Sequence, residues 1–124
     1  MKWKGITKVF LMIIGVAFLS VAIQAFVNPQ SVMDFVDVSL DNISAKNSIR
    51  AYYGGVNLAL ALFMMYGAFK MRREALLFLI LYGSGFVVGR IYGILVDGMP
   101  SHFILTWLMI ESVATIVAIG LLRI

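Results

Sequence analysis

The chain has 124 residues, of which 62% are hydrophobic and 13% charged, with a formal net charge of +4 and no cysteine. That balance excludes a soluble domain with a polar surface, because too few polar side chains remain to cover one. The absence of cysteine excludes disulfides, thiol catalysis, thiolate metal sites and iron–sulfur ligation, and one histidine, His102, excludes haem held by two histidines of the chain.

The first apolar run, residues 9–27, follows the basic start MKWKGITK. It is long enough to span a bilayer and lacks the short apolar core and small-residue cleavage site of a secretion signal, so a retained helix ending before Asn28-Pro29 is expected. Residues 31–43, SVMDFVDVSLDNI, place Val32, Phe35, Val36, Leu40 and Ile43 at helical spacing, with Asp34, Asp37 and Asp41 on the other face. An amphipathic helix lying on the membrane surface or capping the bundle is predicted there, with a short strand through Val36, Val38 and Leu40 as the alternative. The Asn42-Ile43-Ser44 sequon is a chance-level signal.

Three more spans are predicted over residues 49–69, 75–96 and 103–122, each near the 20 residues that a bilayer core requires. Together they fill the chain as one four-span domain over residues 1–124, an all-α integral membrane four-helix bundle with a short amphipathic segment between its first two spans. Lys2, Lys4, Lys8, Lys70, Arg72, Arg73 and Arg123 then fall on one side, seven of the ten basic residues. By the positive-inside rule both termini face the cytoplasm. The positive charge is thereby explained by topology, and nucleic acid is not an expected partner.

Small residues mark packing faces. Gly85, Gly89 and Gly93 stand four apart in the third span, and Gly54 and Gly55 lie in the second beside Ala51 and Ala59. Such ladders allow close backbone approach. They predict helix packing within the chain, with a homodimer face or a slot for a flat ligand as the rival reading.

The polar groups inside the spans carry the functional signal, because a charge near the bilayer centre costs about 2.5–3.5 kcal/mol even on the lenient insertion scale. At a rise of about 1.5 Å per residue, Glu111 and Asn57 lie roughly 12 Å and Arg90 roughly 10 Å below one membrane face. Arg50 and Asp97 are seven residues from Asn57 and Arg90, sharing their helix faces. With Tyr53 and the hydroxyls of Tyr52 and Tyr92 nearby, Arg50, Asn57, Arg90, Asp97 and Glu111 form a predicted polar column open to the outer face. Three readings compete. Arg90 with Glu111, and Arg50 with Asp97, neutralise each other as structural clasps; the cluster binds a lipid head group or small polar ligand through the planar guanidinium; or Glu111 relays protons. Trp107, one turn from Glu111, is placed to shield it from lipid.

Nothing indicates catalysis: no Walker loop, dinucleotide fingerprint, zinc-ligand set or nucleophile–base arrangement occurs, and an enzyme acting on a lipid or quinone would draw on Glu111, His102, Asp97 and tyrosines alone. No metal or cofactor is expected, since Met64-Met65 reads as packing. A non-enzymatic role is favoured, with an enzyme acting on a lipid or quinone as a third reading. The expected partners are the bilayer, a lipid or small polar ligand, and a homo-oligomer or larger membrane complex in which the chain is an accessory subunit.

Asn28-Pro29, RAYYGGVNLALALF at 50–63, GRIYGILVDGMP at 89–100 and Glu111 together resemble the bacterial membrane family called domain of unknown function 4345. The resemblance covers almost the whole chain, with Arg50, Gly54-Gly55, Gly89-Arg90 and Asp97-Gly98 its most specific parts. That family is in turn similar to the DoxX-like group of four-helix membrane proteins. The resemblance implies a four-span bundle in a bacterial inner membrane and no agreed activity. Some DoxX-like members are associated with quinone-linked oxidoreductases, but this chain has no residues matching a redox cofactor site.

Overall fold

A computed structural model describes residues 2–124. Its helices are α1 (Lys4–Val27), α2 (Pro29–Asp34), α3 (Ile43–Lys70), α4 (Arg72–Asp97) and α5 (His102–Arg123). α1, α3, α4 and α5 are each long and apolar enough to cross a membrane, with no strand among the described residues. At 22 to 28 residues, these helices run about 33–42 Å, longer than the roughly 30 Å hydrocarbon core. They therefore extend beyond the apolar runs, at both ends except for α1, which stops with its run at Val27. α3 starts six residues earlier than the predicted span, because Ile43–Ile49 is helical despite its polar residues, with the Asn42 side chain accepting from Ala45 N–H at 2.7 Å as its cap.

Asn28 breaks the chain between α1 and α2. Its extended backbone (φ −150°, ψ 95°) ends α1, its side chain accepts from Gln30 N–H at 3.2 Å, and Pro29 opens α2 with a ring that needs no donor. The predicted amphipathic helix over 31–43 forms only in its first part, as α2: helix ends at Asp34, and Asp37 takes a left-handed conformation (φ 58°). Gln30 supplies the reason. Its amide donates to Asp34 Oδ1 at 2.7 Å and to the Val38 carbonyl at 2.9 Å, while its oxygen accepts from Leu40 N–H at 2.8 Å. These bonds satisfy backbone groups that a helix would otherwise have paired. They fold 38–40 back so that Met33 and Leu40 are buried while Phe35, Val36, Val38 and Ile43 stay exposed.

The core lies at the end of the bundle where the chain termini meet. There Leu11 of α1, Met64 and Ala68 of α3, Ala75, Leu76 and Leu79 of α4, and Ala118 and Leu121 of α5 are buried together, and Lys2 N–H donates to the Ile124 carbonyl at 3.2 Å. Backbone approach needs glycine at this end. A Cβ on Gly15 would stand 2.8 Å from Met65 Cγ, one on Gly67 2.6 Å from Ala75 Cβ, and one on Gly83 would overlap Thr115 Oγ1. Toward the opposite end the packing resolves into two pairs, α1 with α3 and α4 with α5. α4 buries no residue beyond Gly83, and α5 none before Thr115.

A charged clasp beside a glycine-floored groove

Where the two pairs separate, a groove of about 800 Å³ opens along α4. Gly85, Gly89 and Gly93 form its floor; Tyr82, Phe86 and Arg90 line it, Asp97 stands at its mouth, and Tyr52 of α3 and Ile104 of α5 contribute from the neighbouring helices. The predicted packing role of this ladder is not met within the chain. A Cβ built on Gly85, Gly89 or Gly93 meets no atom within 4 Å, and the same holds for Gly55. Gly54 does pack, its Cβ position lying 3.1 Å from the Phe26 ring. The difference is geometric: the glycines that touch a partner lie where all four helices converge or on the α1–α3 contact, and the ladder lies beyond both.

Arg90 and Glu111 join α4 to α5. Arg90 Nη2 is 2.7 Å from Glu111 Oε1, and Arg90 Nε donates to Oε1 at 2.8 Å and Oε2 at 3.1 Å. The side chains are 23% and 13% exposed. This fork geometry gives two charges in a poorly hydrated setting the mutual hydrogen bonds that offset their desolvation. The Arg90 guanidinium carbon also lies 5.6 Å from the Phe86 ring centre. One turn below the carboxylate, buried Thr115 donates to the Glu111 backbone carbonyl at 2.7 Å and fills the space above Gly83, so the helices touch directly beneath the ion pair.

The other predicted site residues are dispersed. Arg90–Glu111 is the sole ion pair among the described residues, so Arg50 and Asp97 do not form a second clasp. Arg50 reaches instead to α1, donating from Nε to the Phe26 carbonyl at 3.3 Å. Asn57 is buried, and its amide donates to the Tyr53 carbonyl of its own helix at 2.8 Å. Tyr53 is half-buried, and the tyrosine of this segment that faces the groove is Tyr52. Arg50–Val56 is a wide, π-helical stretch around Gly54-Gly55, so the seven-residue spacing of Arg50 and Asn57 does not follow α-helical geometry: Arg50 is exposed and Asn57 buried. Trp107 is 37% exposed and packs edge-on to Phe103 at 6.2 Å, which in turn stacks on Phe35 at 4.9 Å.

Tyr82 is a groove residue that the depth and charge pattern of the sequence does not single out. It packs against Phe18, Phe78 and Phe86 at centroid distances of 5.7, 5.9 and 5.0 Å and forms part of the groove wall. The available signal was its spacing, because Tyr82, Phe86 and Arg90 recur every four residues on one helix face. Among the described residues no cluster of three or more potential metal ligands occurs.

The profile of the family described as domain of unknown function DUF4345 matches residues 6–122, and the chain belongs to that family. Neither a curated protein nor a solved structure matches it.

Proposed function

We propose that this DUF4345 protein binds an amphipathic small molecule or lipid in the α4 groove, with the polar end beside Arg90 and Asp97 and the apolar part along the glycine floor. One observation carries this reading: an open groove of about 800 Å³ runs directly past a membrane-level Arg–Glu pair. The volume falls within the range of small-molecule sites, and its apolar walls with few polar groups are the usual composition of such sites. Lateral openness suits a ligand that arrives from the bilayer.

In this proposal the protein lies in a bacterial inner membrane, with both termini in the cytoplasm and the groove mouth facing outward, as the basic residues at the termini end favour. It is grouped with the DoxX-like four-helix proteins, and it acts by binding or transport rather than catalysis.

Native mass spectrometry of protein released from lipid nanodiscs tests the reading. Wild-type protein is expected to retain a small molecule that Gly89→Leu loses, because the leucine fills the groove where no protein atom stands within 4 Å of its Cβ. Equal retention by both would refute it. The open glycine face also favours a second reading, in which a helix of another chain docks there and the protein is an accessory subunit. A stoichiometric partner protein that co-purifies in mild detergent and is lost from Gly89→Leu would support that reading instead.

A further inference from the structure

The charges around the groove do not suit an anion. Arg90, its one basic residue, has its Nε and Nη2 committed to Glu111 at 2.7–3.1 Å, and the charge of the guanidinium is cancelled at that distance. Arg50, the other arginine near this end, does not line the groove and is turned to the Phe26 carbonyl. Asp97 does line it, and no basic group among the described residues stands within 4 Å of its carboxylate. The last residue of α4, it sits at the negative pole of the helix, where a carboxylate is electrostatically disfavoured and a cation is attracted. The clasp and Asp97 together leave one uncompensated negative charge at the mouth. Phe86 and Tyr82 line the groove 11 and 15 residues back along α4, about 16 and 22 Å from Asp97, so the part of the groove they border lies well away from that charge.

We infer that the groove selects an amphiphile with a cationic nitrogen at its polar end, held by Asp97, with its chain running down the glycine floor toward the aromatic rings. The inference rests on the proposed binding groove and adds the charge of the ligand. Two sources share this chemistry, the amine head group of a membrane phospholipid and a free long-chain amine.

The test uses the full chain in nanodiscs of phosphatidylethanolamine and phosphatidylglycerol with matched acyl chains in equal amounts, read by the lipid retained on release. Wild type is expected to enrich the ethanolamine lipid about fivefold, the ratio given by a single partly screened ion pair. Asp97→Asn is expected to lose the enrichment as its hold on the amine lipid weakens, whereas Gly89→Leu loses retention of both lipids. In a second arm dodecylammonium is added with dodecanol as the uncharged control; retention of the amine without enrichment of the phospholipid identifies a free amine as the source and upholds the inference. Three results overturn it: retention without preference for amine in either arm, enrichment of the glycerol lipid, or an Asp97→Asn protein as selective as wild type. Each of these leaves the groove standing, provided Gly89→Leu abolishes retention. Retention unchanged in Gly89→Leu removes the groove and the inference with it.

Discussion

Replacing Glu111 by Gln removes the charge that faces Arg90 at 2.7 Å while keeping the side-chain volume. Breaking a fully buried ion pair from one side costs about 3–5 kcal/mol. Arg90 is 23% exposed and borders an open groove, so water partly resolvates the orphaned guanidinium and about 2–3 kcal/mol is expected for Glu111→Gln. The amide oxygen still accepts one hydrogen bond, so Glu111→Leu is expected to cost more. The double variant Arg90→Leu/Glu111→Leu is expected to recover much of either loss, because it buries no charge and leucine packs well between helices. The assay is reversible denaturation of the purified protein in mixed micelles, with the four proteins of the Leu double-mutant cycle compared. A coupling energy of about 1–3 kcal/mol is expected for groups in direct contact. Losses that simply add, with coupling below about 0.3 kcal/mol, would refute the clasp as a stabilising element.

Gly83→Ala is expected to destabilise the bundle by about 1–3 kcal/mol, the usual cost of overpacking, since its methyl overlaps Thr115 Oγ1; adding Thr115→Ser, which keeps the hydroxyl, is expected to leave that cost while Thr115→Ala relieves it, as read in the same denaturation assay. Gly93→Ala should be neutral or stabilising by about 0.5–1 kcal/mol from helix propensity alone, because nothing lies within 4 Å; a marked loss of stability would show a partner seated on the ladder. Gln30→Ala removes the bonds to Asp34, Val38 and Leu40 and is expected to accelerate hydrogen exchange at the Leu40 amide by at least about tenfold, equivalent to about 1.4 kcal/mol of local protection; unchanged exchange there would refute Gln30 as the organiser of that loop.

The helices were legible because hydropathy and length both report on the bilayer, and counting the rise per residue along each span placed Arg90 and Glu111 at one level before any contact was known. What a span's own pattern lacks is the identity of its neighbour. Gly83 and Gly89 look alike in sequence, yet Thr115 stands over the first and no protein atom over the second. The spacing that relates Arg50 to Asn57 assumes an α-helix, and with a π-helical stretch between them Arg50 is exposed while Asn57 is buried. The segment 31–43 keeps its helix only to Asp34 for a similar reason. Its helical period is real, but Gln30 lies just outside it and ties up the backbone groups of Val38 and Leu40, a tertiary effect that no local window contains.

The one-sided distribution of the core has a mechanical consequence. Leu11, Met64, Leu76 and Leu121 fasten all four long helices near the termini, while beyond Gly83 the α4–α5 pair is joined to α1–α3 by few buried groups. Because Arg90 and Glu111 bind α4 to α5, any tilt of that pair about the fastened end would be shared by both helices and would change the spacing most at Asp97, 14 residues and about 21 Å beyond Gly83. The width of the groove thus depends on the lean of two stiff rods, which could change without disturbing the contacts at the fastened end.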